Sequence, residues 1–186
     1  MKVIVYTRHG DAGVSICTPT PEIIAAMAHG SYFGKRPRGF LDEQVERNIA
    51  NGIRSDVARR FVHALEFGGC TTAEALEIIR DRDCGPHGTA IELWDAADVP
   101  ADRWFRNAWR RSANGGPISV DLRKARPIQL AHIKSALAIE TKRRDSDDDL
   151  WSAPLVVDLA PLVEKIKGAQ DADALRAIWP SELRVA

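Results

Sequence analysis

Residues 2–18 read KVIVYTRHGDAGVSICT. Lys2 to Thr7 is rich in β-branched and aromatic side chains, VSICT at 14–18 repeats that character, and the HGDAG between them carries the Gly and Asp of a tight turn. The stretch predicts a β-hairpin at the start of the chain. A third strand, TAIELWD at 89–95, alternates in the same way and is expected to pair with it. Everything between and after reads as helix. Pro21 opens a helix that runs to about His29 and stops at Gly30, and residues 30–40, GSYFGKRPRGF, form a loop. Leu41, Val45 and Ile49 share one face of a second helix, ended by Asn51-Gly52. Ser55 is the expected N-cap of a third, which Gly68-Gly69 terminates, and Thr71 or Thr72 caps a fourth. The fold class is therefore α+β, a small antiparallel sheet of about three strands packed with helices.

Beyond residue 95 the expectation is almost wholly helical. Trp104, Phe105, Ala108 and Trp109 fall at helical spacing within 98–112, so their rings should make one packing face with at least two of them buried. A long basic helix then runs from Ser119 or Asp121 toward Arg144, with Leu130, Ile133 and Leu137 as its apolar stripe and Pro127 as a kink. The run DSDDD at 145–149 separates it from two short helices around Gly168. This divides the chain into an α+β domain at 1–117 and a helical extension at 118–186.

Composition excludes more than it assigns. The 26 Lys and Arg balance 26 Asp and Glu, so net charge directs the chain to neither nucleic acid nor an anionic membrane. No apolar run approaches the ~20 residues needed to span a bilayer, and the N-terminus lacks a signal-peptide core, which makes the cytosol the expected location. Cys17, Cys70 and Cys84 have no framework spacing and read as free or buried thiols.

Four groupings bear on chemistry. Arg8-His9-Gly10 directly after a strand matches the start of histidine phosphatases, where the His takes the phosphoryl group and the Arg forks onto phosphate oxygens. A hairpin turn explains the same residues, and the antiparallel neighbour does not suit that family's parallel sheet. Cys70, Cys84, His63 and His87 are zinc-ligand types, yet a helix of about 20 Å would hold the two cysteines apart, so no metal and no cofactor is expected. Residues 54–83 could form a helix-turn-helix with Thr71, Thr72 and Glu74 leading the second helix and Arg54, Arg59 and Arg60 on phosphates. Glu74, Glu77, Asp81 and Asp83 oppose that charge. Between Arg103 and Arg144, finally, eleven Lys and Arg face two acidic residues. This basic segment, with Trp104 and Trp109 beside it, could hold nucleic acid or an acidic protein.

Several stretches together carry a resemblance: VIVYTRHGDAGVSICTPTP, CTTAEALEIIRDRDC, VPADRWFRNAW at 99–109 followed by RRSANGGPISVDLRKAR, and DALRAIWPSEL. They resemble an uncharacterised family of alphaproteobacterial phage and prophage proteins with an LPADRxFRNAW-type signature before a basic helix. That family has no established catalytic residues, and its members do not keep a histidine at the place of His9. The resemblance implies a non-enzymatic virion or tail-assembly protein that binds a protein partner or itself, in the host cytoplasm or the particle. The partner-binding residues expected on it are Arg110, Arg111, Arg123, Lys124, Arg126 and Lys134. A nucleic-acid-binding module on 54–83 or 103–144, and a phosphatase on Arg8 and His9, are the alternatives.

Overall fold

The N-terminal hairpin forms because its turn closes on itself. In the computed structural model, which describes residues 1–146 and 155–183, β1 (Lys2–Arg8) and β2 (Val14–Cys17) pair antiparallel with Ile4 opposite Cys17 and Thr7 opposite Val14. The Arg8 amide donates to the Gly13 carbonyl at 2.8 Å, and the Asp11 carboxylate accepts the Gly13 amide at 2.8 Å. An Asx turn of this kind is what Asp supplies to a tight loop. On the other side of β1 lies β3 (Gly88–Asp95), antiparallel, giving the order β2-β1-β3. Val3, Ile4 and Val5 are all buried, because the central strand is covered on both faces.

The β1–β3 ladder is broken once. Val5 lies opposite Glu92 and Thr7 opposite Thr89, so β3 carries one more residue than β1 across that step, and Ala90 takes φ +48°. This is a β-bulge.

Three helices cover the Ile4 face of the sheet: α1 (Pro21–His29), α3 (Ser55–Phe67) and α4 (Thr72–Ile79), with Met27, Phe61, Leu65 and Ile78 in the core between them. The amphipathic α2 (Phe40–Ala50) packs on α3 with no residue of its own fully buried. The C-terminal ends of α1 and α3 meet at two glycines. Gly30 and Gly68 adopt φ +75° and +70° with extended ψ, a region open only to glycine, and the amides of Ser31 and Gly69 bond to the carbonyls of Glu66 and Ala28. The caps follow the sequence reading except at Ser55. That residue is already helical, and Arg54 stands at the N-cap with no side-chain capping bond, its guanidinium held by Asp56 at 2.6 Å. Thr71 caps α4 in a reciprocal box with Glu74. A π-turn, Arg80–Cys84, leads from α4 to β3.

The expected aromatic helix over 98–112 is not there. Arg106–Ala108 is a single 3-10 turn, and the chain then extends as β4 (Trp109–Ser112), paired with β5 (Gly115–Val120) in a two-stranded ribbon. Asn114-Gly115 is a strong hairpin signal: Ala113 and Asn114 make the turn, and Gly115 and Gly116 open β5 at φ +93° and +102°, so residues read as a helix stop instead close a hairpin. The burial expectation survives the change of element, since Phe105 and Trp109 are each 3% exposed.

The C-terminal half is mostly helical. The 25-residue α5 (Leu122–Ser146) runs continuously through Pro127, and Asp121 caps its start by accepting the Arg123 amide at 3.0 Å. Two short helices follow, α6 (Ala160–Gly168) and α7 (Ala172–Arg176). Ile133, Ile166, Leu175 and Phe105 make their core, with Leu130 and Leu137 partly buried against it. The acidic stretch at 147–149 lies outside the described residues.

The chain divides into two compact units. One comprises Met1–Pro100 with Arg111–Ile118, and the other Ala101–Arg110 with the residues from Ser119 onward. Residues 101–110, expected in the first domain, thus belong to the second. Among the described residues no helix is long and apolar enough to cross a membrane.

Candidate functional site

Each residue group that the sequence singles out has a definite place. Arg8 forks onto Asp11, with Nε to Oδ1 at 3.2 Å and Nη2 to Oδ2 at 2.7 Å. That pairing raises the Arg8 pKa and makes the guanidinium part of the hairpin turn. His9 is exposed, and its amide donates to the His87 carbonyl at 3.1 Å, a backbone bond at the end of the β1–β3 ladder. The strands around them are antiparallel. Among the described residues no three His, Cys, Asp or Glu side chains gather in a way that would hold a metal ion.

In the 54–83 region α3 and α4 do form a helical hairpin. Arg59, Arg60, His63, Cys70 and Glu74 line an open groove of about 440 Å³ between them. Glu74 is committed to its cap on Thr71, which holds its carboxyl below the usual range. Arg80 and Arg82 are closed on their acidic neighbours Asp81 and Asp83 at 2.8 and 2.5 Å, and Arg82 also stacks 3.8 Å from the Phe61 ring centroid.

The basic segment is less uniform than its sequence. Arg111 is the clearest departure, because its side chain is fully enclosed in the first unit and so offers no charge at the surface. Its Nε donates to the Gly116 carbonyl at 2.7 Å, and its Nη1 reaches the carbonyls of Ala90 at 3.0 Å and Val5 at 3.4 Å. Its Nη2 faces the Glu92 carboxylate as an ion pair, and the guanidinium lies 5.1 Å from the Trp94 ring centroid. Arg111 therefore lies at the bulge in β3 and donates to carbonyls on both strands of the β1–β3 ladder.

The other five named cations belong to the second unit. Arg110 pairs with the buried Asp121, and Arg126 donates to the Ala169 carbonyl at 3.1 Å. Lys124 is half-buried, while Arg123 and Lys134 are exposed. Eleven positions separate those two on α5, about 20° of rotation at 100° per residue, so they lie on the same face. At the far end of the helix Glu140 holds Arg143 at 2.8 Å and Arg144 at 2.9 Å.

What sequence reading did not assemble is an aromatic groove in this second unit. Trp104 stands edge-on to His132, with centroids 4.5 Å apart, and to Trp179, 5.9 Å apart. Gln129, fully buried, fixes that arrangement. Its Oε1 accepts the Trp104 indole N–H at 2.7 Å, and its Nε2 donates to the Ile178 carbonyl at 2.7 Å. Asp102 caps the Trp104 amide at 2.9 Å and holds Arg176, whose guanidinium lies 5.2 Å from the Trp104 centroid. Arg103, Trp104, His132, Ser135, Ile139 and Trp179 line a cavity of about 540 Å³. Ile139, 67% exposed, forms its outer lip, and the Nδ1 of His132 is buried without a partner. Trp104 and the DALRAIWPSEL tail were visible signals, but nothing local joined Trp104 to Trp179.

No protein-family model matches the chain, and no curated protein or solved structure matches it either.

Proposed function

We propose that this chain is a non-enzymatic protein-interaction component of the phage or prophage kind its sequence resembles, acting in virion or tail assembly through the second unit. The observation that carries the reading is the Trp104–His132–Trp179 groove, with the exposed Ile139 at its lip and Arg103 in its wall. Exposed apolar surface beside rigid aromatic rings and arginine is the composition of interaction hot spots. The partner feature that fits is an apolar or aromatic side chain flanked by carboxylates. The apolar group would enter the groove, and the carboxylates would meet Arg103 and Lys134. Arg123 lies on the Lys134 face of α5 and extends the positive surface toward the helix start, which steers an acidic partner and sets its orientation more than its affinity. Arg110, Arg126, Arg143 and Arg144 already have internal partners and contribute less.

The test is recovery of a defined partner from the native host or its particles by the tagged chain, compared with the Ile139→Asp and Arg103→Glu variants. Both sites are exposed, so both variants should keep the wild-type Tm. The expectation is one protein at stoichiometric level with the wild type, reduced at least about tenfold by either change, as loss of a hot-spot contact implies. Equal recovery with both variants overturns the assignment of this surface. Recovery of nucleic acid in its place, with affinity falling steeply as salt rises, would favour the nucleic-acid reading.

A further inference from the structure

The first unit contains a second site, independent of the aromatic groove. On α3, Arg59 and His63 stand one turn apart, as do Arg60 and Ala64, and all four line the groove between α3 and α4. Ala64 and Ile78 also line it and are buried, so the floor of the groove is apolar while its α3 wall is cationic. His63 packs on Phe67, with ring centroids 4.7 Å apart, and Phe67 is 64% exposed. The wall therefore carries an aromatic edge as well as charge. At the turn between the helices it is bare backbone, since a Cβ on Gly69 would meet nothing within 4 Å.

The two arginines set this groove apart. Elsewhere in the unit Arg8, Arg36, Arg54, Arg80, Arg82 and Arg111 each close on a carboxylate. Among the described residues Arg59 and Arg60 have no ion pair and no side-chain hydrogen bond. Arg38 and Arg47 share that property but not the groove. The carboxylates placed to neutralise Arg59 and Arg60 are committed elsewhere. Asp56 stands three and four residues before them, the spacing of a helical ion pair, but it is held by Arg54 at 2.6 Å. Glu74, which also lines the groove, accepts from the amide and the hydroxyl of Thr71, each at 2.8 Å. Two forked cations over an apolar floor are thus left for an outside anion.

We propose that this groove binds a small organic phosphate carrying a flat apolar group. A phosphomonoester presents three terminal oxygens and about two negative charges near pH 7, which suits two guanidiniums and an imidazole better than the two oxygens and single charge of a carboxylate. The flat group lies on Ala64 and Ile78 with its edge toward His63. The volume of about 440 Å³ is that of a small-ligand site.

The test is calorimetric titration of the full chain with adenosine monophosphate as the probe, and with adenosine and inorganic phosphate as its two halves. One site is expected, at least about tenfold tighter for the monophosphate than for either half, and weakening as salt rises. Arg59→Gln and Arg60→Gln should each weaken binding at least about tenfold, the loss of a charge-assisted hydrogen bond. Arg47→Gln, exposed on α2 and outside the groove, should leave it unchanged. Bound probe should also slow alkylation of Cys70, which lines the groove, and leave that of Cys17, which does not, as it was. This wild-type readout decides the matter if a variant folds poorly. A Kd above about 1 mM for the monophosphate, unchanged affinity in both arginine variants, or Cys70 alkylation unaltered at saturating probe overturns the proposal. Adenosine or inorganic phosphate binding as tightly as the monophosphate overturns it as well.

Discussion

Replacing Arg111 by Met keeps an unbranched side chain in the bulge but removes every donor. The guanidinium serves three carbonyls, of Gly116, Ala90 and Val5, and the carboxylate of Glu92. Glu92 is 43% exposed, so it rehydrates when its partner is lost and its share of the cost is small. It also keeps the Trp94 indole N–H at 2.8 Å. Gly116 is exposed and regains water. The Val5 carbonyl is buried and the Ala90 carbonyl half-buried, and a buried acceptor that loses its charged donor costs ~1–3 kcal/mol. The longer Val5 contact counts toward the low end. Together these give a loss of about 3 kcal/mol for Arg111→Met, with Arg111→Lys recovering at most about half, because an ammonium cannot fork across three acceptors. Urea unfolding followed by Trp fluorescence measures the difference, and amide exchange at the Val5–Glu92 step locates it. A loss below about 0.5 kcal/mol, the size of an ordinary surface change, would mean the guanidinium does not hold the bulge.

Three further perturbations test the frame around the sites. Gln129→Leu leaves the Trp104 indole and the Ile178 carbonyl unpaired and should destabilise the second unit by about 2–4 kcal/mol in chemical denaturation; a neutral result would mean water replaces the amide. Gly68→Ala places a Cβ 2.6 Å from the His29 backbone in a glycine-only conformation, and should cost at least about 2 kcal/mol, read as a fall in Tm; an unchanged Tm would refute the close approach of α1 and α3. Arg143 and Arg144 lower the Glu140 pKa to about 2. A depressed acid stabilises the folded state above its unfolded value near 4.5 and loses that contribution as pH falls toward about 2. Titration of its carboxyl resonance by NMR should show that midpoint, rising in Arg143→Gln; a wild-type midpoint near 4.3 would contradict the pairing.

The elements legible in the sequence are those whose signals are local. Thr71 and Glu74 announce a capping box, Gly30 and Gly68 announce helix ends, and the β-branched run from Val3 to Val5 announces a central strand. Residues 98–112 misled because Trp104, Phe105, Ala108 and Trp109 satisfy a helical period by coincidence, while the two-residue alternation of Trp109 and Arg111 is too short to stand against it. Arg111 was grouped with the surface cations because nothing in its neighbours records that Val5 and Ala90 lie beside it. The contact of Trp104 with Trp179 is a product of tertiary packing. Charge counting overstated the basic segment for the same reason, since Asp121 and Glu140 reach their arginines only once α5 has formed.

The most direct test of the proposed role is site-specific photo-crosslinking from Ser135, which lines the aromatic groove and is exposed. With the crosslinker at that position in the native host, the account predicts one discrete protein adduct, lost when Arg103→Glu is added. A smear of unrelated adducts that Arg103→Glu leaves unchanged, or adducts to nucleic acid alone, would contradict it.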